Sequence, residues 1–334
     1  MSYPDEPRIP SPSGRGVVNY TVAILGAGAW GCALARLAQQ QGHEVRLWSR
    51  SSPESLADVV ADADVVLSAI SMKGVAETNA RLQPISLRAH TILVTATKGL
   101  DAATACTPSQ MWQAAFPDRS IVVLSGPNLS QEIELGLPAA TIAASRNLEA
   151  ATTIQTIFSS DIFRVYTNTD PLGTELGGTL KNVMAIAAGA CDGLHLGTNA
   201  KSALLSRSLI EIVRVGTALG ACVETFWGLS GLGDLLATCN SALSRNYRLG
   251  YSLAQGLSLD EAIAAINSTV EGVNTTNVLV RLAQQLGIDV PIADRVYCLL
   301  KGEVTAEEAV AQLMERSPKP EVVAPDSSQV FKER

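Results

Sequence analysis

Between Leu176 and Cys191 a single side chain carries charge, Lys181, and its neighbours Gly177, Gly178, Ala185, Ala187, Ala188 and Gly189 are small. A helix of that composition packs closely against other elements, so its lysine is hard to keep in water. Burial disfavours the ammonium and lowers the pKa. An amine tuned toward neutrality exchanges protons with an alcohol or a ketone. Two plainer assignments stay open for Lys181: a stem that carries the charge to the surface, or a structural pair with Glu175. A second lysine, Lys98, follows the apolar run Thr91–Ala96, where an ammonium can face a substrate oxygen or phosphate. The run Ile121–Leu124 ends in Ser125-Gly126-Pro127-Asn128, a tight turn that offers backbone N–H groups. Further on stand Gly231-Leu232-Gly233-Asp234, Thr238 and Ser244-Arg245-Asn246. A serine cap, a helix N-terminus and a guanidinium together suit a dianion. Helix capping alone is the competing reading of Ser244.

The most specific pattern is Gly26-Ala27-Gly28-Ala29-Trp30-Gly31. It follows the strand-like Thr21–Leu25 and opens the helix-like Cys32–Gln41, the context that gives a G-x-G-x-x-G sequence its meaning. Gly26 permits the tight turn, Gly28 lets backbone approach a pyrophosphate, and Gly31 lets the helix lie close to the sheet. Ala29 and Trp30 sit at the helix start, where free N–H groups meet phosphate. NAD enzymes usually end the next strand on Asp or Glu. This chain has Ser49-Arg50-Ser51-Ser52 there, and Arg50 suits a 2′-phosphate, so NADP(H) is expected alongside NAD(H). A solvated loop charge is the alternative for Arg50.

The elements that must hold these residues alternate in the first half. Strand-like runs at Tyr20–Leu25, Glu44–Trp48, Asp64–Ile70, Thr91–Ala96, Ile121–Leu124, Ala140–Ala144 and Phe163–Tyr166 are separated by helix-like stretches such as Cys32–Gln41 and Thr104–Phe116. That order predicts an α/β fold with an N-terminal Rossmann-type, parallel, doubly wound sheet. After Asn168 the pattern turns helical, over Leu172–Cys191, Ala200–Leu219, Leu259–Ile266, Val273–Leu286 and Ala293–Leu300, with a glycine-rich break at Gly228–Gly233. The expected organisation is a tail over 1–19, a nucleotide-binding domain over 20–168, an all-α substrate and catalytic domain over 169–316, and a second tail over 317–334.

Composition narrows the function. The 334 residues carry a net charge of −7, with no basic face of the kind nucleic-acid binding requires. No apolar run approaches the ~20 residues of a membrane span. Six dispersed cysteines and three histidines argue against a metal site or a disulfide framework, and most of the thiols are expected to be buried. A reducing cytoplasm fits, with a homodimer as the default assembly.

Taken together, the chain resembles NAD(P)-dependent glycerol-3-phosphate dehydrogenase of the bacterial type. The resemblance runs from residue 20 to about 310 through Gly26 to Gly31, Ala96-Thr97-Lys98-Gly99-Leu100, Ser125-Gly126-Pro127, Leu176-Gly177-Gly178-Thr179-Leu180-Lys181-Asn182-Val183, Gly231-Leu232-Gly233-Asp234-Leu235, Ser244-Arg245-Asn246 and Val270-Glu271-Gly272. It implies interconversion of dihydroxyacetone phosphate and sn-glycerol 3-phosphate, the latter for glycerophospholipid synthesis. Lys181 resembles the family's proton donor and acceptor. Lys98 resembles the lysine between cofactor and substrate. Arg245 and Asn246, with Ser244, resemble the phosphate ligands, Arg245 also bordering the cofactor. The resemblance further implies that Asp234 and Thr238 line the same pocket, that Asn182 joins them as the residue after the catalytic lysine, that Gly126 and Asn128 sit where substrate contacts occur, and that Ser130, Thr269 and Glu271 sit where cofactor contacts occur. Three positions depart from the family: a short segment at Ser51–Ala63, Asn128 in place of a small hydroxyl residue, and Ser130 in place of Ala. A related β-hydroxy acid dehydrogenase would need a carboxylate-binding pattern instead of Ser244-Arg245-Asn246. A non-catalytic NADP(H) sensor would have no use for Lys181, Lys98 and Asp234. An isomeroreductase would need acidic Mg²⁺ ligands in the helical half.

Overall fold

In a computed structural model, the structure describes residues 19–318 and 320–321. The expected N-terminal tail and most of the C-terminal one lie outside the described residues. Seven strands form one sheet: β1 (Thr21–Leu25), β2 (Glu44–Trp48), β3 (Val65–Ser68), β4 (Ile92–Thr95), β5 (Ile121–Ser125), β6 (Ala139–Ala144) and β7 (Phe163–Asn168). Their spatial order is β2-β1-β3-β4-β5-β6-β7. The chain winds outward from β1 in both directions, and β1 to β5 are parallel. Alternate residues of a strand face opposite sides. Val22 and Ile24 therefore pack under the helices Ala29–Gln40 and Leu148–Phe158, and Ala23 and Leu25 pack with Trp112 of the helix Pro108–Ala115 on the other side. Both faces are covered, so the strands read as continuous apolar runs.

The expectation of an all-parallel sheet needs correction at β6, which runs antiparallel to β5, with β7 parallel to β6. The link from β5 to β6 contains only a five-residue helix, Ser130–Glu134. At 1.5 Å per residue it spans about 7 Å, too little to carry the chain back along the sheet. The strand therefore returns directly beside its neighbour.

The helical half is built around Pro171–Gly193, a 23-residue helix buried along almost its whole length. Asp170 caps it through Gly173 N, and its other carboxylate oxygen holds Cys222 N and Thr225 Oγ1. Its small residues serve close crossing. A Cβ on Gly189 would stand 1.9 Å from Tyr247 O, and one on Gly250 would stand 1.8 Å from Ile186 O. The central helix and the helix Arg245–Ala254 thus meet backbone to backbone. Around them pack Gly197–Ala218, Glu271–Leu286 and Pro291–Lys301. The glycine-rich break Gly228–Gly233 is itself helical: Leu229–Gly233 forms a π turn that runs into Asp234–Cys239.

The cysteines also depart from expectation. Only Cys191 and Cys239 are buried, Cys106 and Cys298 are half-buried, and Cys32 and Cys222 are exposed. Cys32 lies on the outward face of the first helix, and Cys222 in the turn before Val223–Phe226, where apolar neighbours in sequence do not translate into burial. All six are free thiols. Among the described residues no helix is long and apolar enough to cross a membrane, and no grouping of His, Cys, Asp or Glu could hold a metal ion.

Candidate active site

The glycine turn joins β1 to its helix with the geometry a dinucleotide needs. Gly26 has φ +118°, and a Cβ there would stand 2.6 Å from Ala69 O. On Gly31 a Cβ would fall 1.8 Å from Gly26 O, so only glycine lets the helix lie this close. Gly28 is the opposite case, with nothing within 4 Å of its missing side chain. It is the N-cap of Ala29–Gln40 and supplies no side-chain cap. Free helix N–H groups therefore open onto unobstructed space, which fits a pyrophosphate. Ala29 is exposed and Trp30 half-buried beside it. Arg50 lies two residues past the end of β2, the strand hydrogen-bonded to β1, and is exposed with no ion pair or hydrogen bond to any described residue. Next to it the hydroxyls of Ser49, Ser51 and Ser52 bond to one another.

On the far side of the sheet's C-terminal edge the lysines meet one acid. Lys181 Nζ donates to Asp234 Oδ1 and, at 2.5 Å, to Thr238 Oγ1. Lys98 Nζ donates to Asp234 Oδ2 at 2.7 Å and to Gly126 O at 3.4 Å. One carboxylate, 1% exposed, therefore holds both ammonium groups, one on each oxygen. Pairing of Lys181 with Glu175 does not occur: Glu175 accepts from Ser109 N and Ser109 Oγ, capping the helix Pro108–Ala115. Burial pulls the Lys181 amine down to about 7; the Asp234 carboxylate opposes that shift and the Lys98 ammonium adds to it. Such an amine is at home both with and without its proton near neutral pH.

Next to Lys181 a second network is neutral. Asn246 Nδ2 donates to Asn182 Oδ1 at 2.9 Å, and Gly272 N donates to Asn246 Oδ1 at 2.9 Å. Ser244 caps the helix Arg245–Ala254, accepting from Tyr247 N at 3.2 Å. Arg245 is exposed at that N-terminus, with Nη1 2.6 Å from Ser268 Oγ. A guanidinium and free helix N–H groups thus face outward together, beside the Asn182–Asn246 pair.

The remaining predicted residues divide. Glu271 opens the helix Glu271–Leu286 near Gly99; burial raises its carboxyl, while the Met72 N–H, Arg245 and Lys73 draw it back. Ser130 begins its short helix half-buried, and Thr269 is exposed just before Val270. Asn128 is turned toward β6: its Nδ2 donates to Ala140 O at 3.1 Å, and its Oδ1 accepts from Thr141 Oγ1 at 2.8 Å. Its amide braces the β5–β6 turn. Two contacts have no counterpart in the motif reading. Thr179 Oγ1 accepts from Gly99 N at 3.0 Å, and Asn274 Nδ2 donates to Leu100 O at 2.8 Å, so the loop bearing Lys98 is tied to both neighbouring helices. Thr179 lies inside the quoted Gly177–Val183 stretch, but nothing in its spacing pointed to residue 99.

Comparison with known proteins gives the family. The family described as NAD-dependent glycerol-3-phosphate dehydrogenase matches with its N-terminal part over residues 21–55 and 51–151, and with its C-terminal part over 170–311. The two N-terminal pieces meet in the short segment after β2. A protein of Trichormus variabilis named glycerol-3-phosphate dehydrogenase (NAD(P)+) is 60% identical over 301 residues, covering 90% of this chain and 98% of the relative. One of the same name from Synechocystis is 61% identical over 300 residues, covering 90% and 95%. The crystal structure of glycerol-3-phosphate dehydrogenase from Coxiella burnetii superposes with a TM-score of 0.85 at 34% identity, covering 89% of this chain and 99% of that one. With the glycine turn, the shared aspartate and both lysines in place, and with these matches over most of its length, the chain belongs to the NAD-dependent glycerol-3-phosphate dehydrogenase family.

Proposed function

We propose that this chain reduces dihydroxyacetone phosphate to sn-glycerol 3-phosphate, reversibly, using NADP(H) and also NAD(H). The observation that carries the reading is Asp234 holding Lys181 and Lys98, one on each oxygen. The residues 20–168 bind the dinucleotide, and 169–316 bring the substrate and the proton. Gly26, Gly28, Ala29, Trp30 and Gly31 present the backbone that receives the pyrophosphate. Arg50 and its serines receive a 2′-phosphate, and Ser130, Thr269 and Glu271 border the rest of the cofactor. A reduced nicotinamide held there would supply the hydride for the ketone carbon. Arg245 and the N-terminus of its helix anchor the substrate phosphate, with Asn246 and Asn182 adding an amide N–H. Lys181 gives its proton to the oxygen that becomes the alcohol, and takes one back in the reverse direction. Lys98 holds positive potential beside that oxygen as charge develops.

The intact lysine–aspartate centre gives no support to a non-catalytic sensor, and the exposed guanidinium at a helix start suits phosphate better than the pattern of a β-hydroxy acid enzyme. The six free thiols fit a reducing cytoplasm. A twofold homodimer is the assembly we assign on general grounds. The test is oxidation of NADPH and of NADH, each with and without dihydroxyacetone phosphate. Substrate-dependent oxidation is expected with both cofactors, faster with NADPH; no dependence on the ketose phosphate would reject the function.

A further inference from the structure

Ser125 ends β5 next to Gly126, is 3% exposed, and has a hydroxyl with no hydrogen-bond partner among the described residues. A buried hydroxyl left unmatched costs free energy, and in a native protein it calls for a reason. A methyl placed on Gly178 would stand 2.3 Å from Ser125 Oγ, 3.4 Å from Lys98 Cε and 3.5 Å from Asp234 Oδ2. The hydroxyl, the lysine stem and one carboxylate oxygen therefore border the same small space. A glycine three residues before Lys181, on the same face of the helix, keeps that space open.

Of the charged groups around it, Lys98 is the most exposed. Its side chain is 24% exposed, against 7% for Lys181 and 1% for Asp234, and it ends a flexible four-carbon stem. When its ammonium turns toward a substrate oxygen, Asp234 Oδ2 loses its donor. A buried carboxylate oxygen stripped of its partner is costly. A hydroxyl can rotate its proton to meet such an oxygen. We infer that Ser125 is a positioning residue for this exchange: its O–H takes the Asp234 Oδ2 that Lys98 vacates, so that Lys98 can serve the substrate while Asp234 stays aimed at Lys181. The inference rests on the functional reading above. It accounts for a buried hydroxyl without a partner beside a carboxylate oxygen that Lys98 occupies.

The test is a double-substitution cycle measured with dihydroxyacetone phosphate: the parent, Ser125→Ala, Lys98→Ala and both together. Ser125→Ala should lower kcat roughly tenfold, the worth of one hydrogen bond to a charged group. The KM for NAD(P)H and the thermal midpoint should stay at parent values. In the Lys98→Ala background the serine should cost nothing further, because the exchange it supports no longer happens. A Ser125→Ala enzyme within about twofold of the parent would overturn the inference. So would a loss that recurs in full without Lys98, which marks an independent structural role. A parent protein that shows no turnover of the ketose phosphate is a separate result, and it would reject the functional reading and this inference with it.

Discussion

Replacing Asp234 by Asn tests the centre of the site, because it removes one charge and little shape. Asp234 holds Lys98 at 2.7 Å and holds Lys181 on its other oxygen, almost wholly out of water. Breaking a buried pair by deleting one partner costs ~3–5 kcal/mol, since the other charge is stranded. In the variant two ammonium groups remain together without a counter-ion. The amide N–H₂ faces one of them. If even ~3 kcal/mol of that falls on protonated Lys181, its pKa drops by about two units, at 1.36 kcal/mol per unit. The amine starts near 7, already lowered by burial. In the proposed mechanism reduction needs the protonated amine, so its rate should fall as pH rises through the Lys181 pKa. In Asp234→Asn that fall should come about two pH units lower, leaving ~1% of the amine charged at neutral pH and cutting reduction about 50-fold or more there. By the same proposal, oxidation of glycerol 3-phosphate needs the neutral amine and should be lost at low pH, with that low-pH limb extending to lower pH in the variant. The assay is the pH profile of kcat in both directions, with the unfolding midpoint confirming a folded protein. Superimposable profiles in a folded variant would refute the claim that Asp234 sets the proton affinity of Lys181.

Three further outcomes are expected. Arg245→Ala should raise the KM for dihydroxyacetone phosphate tenfold or more, on the scale of a lost charge-assisted contact, with kcat less affected; an unchanged KM would remove the guanidinium from phosphate binding. Arg50→Ala should weaken NADPH binding while leaving NADH binding unchanged, as titrations with each cofactor would show; equal losses for both would assign Arg50 no part in choosing between them. Glu211 is raised to about 7 by burial, against the N–H groups of Ile292 and Ala293 that its carboxylate accepts. Its folded form therefore holds a proton more tightly than its unfolded form. The stability this contributes is full below the ordinary carboxylate range and is lost as pH rises from about 4.5 toward 7. Glu211→Gln should flatten that decline, measured as urea midpoints at pH 5 and pH 8; a slope equal to the parent's would show that Glu211 does not titrate there.

Much of this molecule is visible in its residue order, because the relevant forces are local. The glycine turn is one such case: φ +118° at Gly26 and the contact of Gly31 with Gly26 O involve residues within one turn of chain. The helix start at Arg245 is another, since Ser244 caps it from the adjacent position. The apolar strands announce themselves through burial on both faces. Where the sequence reading goes astray, the deciding contact is distant. Cys32 and Cys222 stand in apolar company along the chain yet face solvent. The bonds of Asn128 to Ala140 and Thr141 of β6, a dozen residues on, likewise have no signal in the spacing.

Local order along the chain thus determined the alternation of strands and helices, the glycine turn after β1, and the isolation of Lys181 on a helix of small residues. Only the folded structure decided which acid that lysine would meet. Lys98 and Asp234 are 136 positions apart, and Lys181 and Asp234 are 53 apart. The nearer candidate, Glu175, turns instead to the Ser109 backbone. Ion pairing and the loss of water depend on distance through space and on what else is packed around the charge, and neither quantity is written in the spacing of residues along a chain.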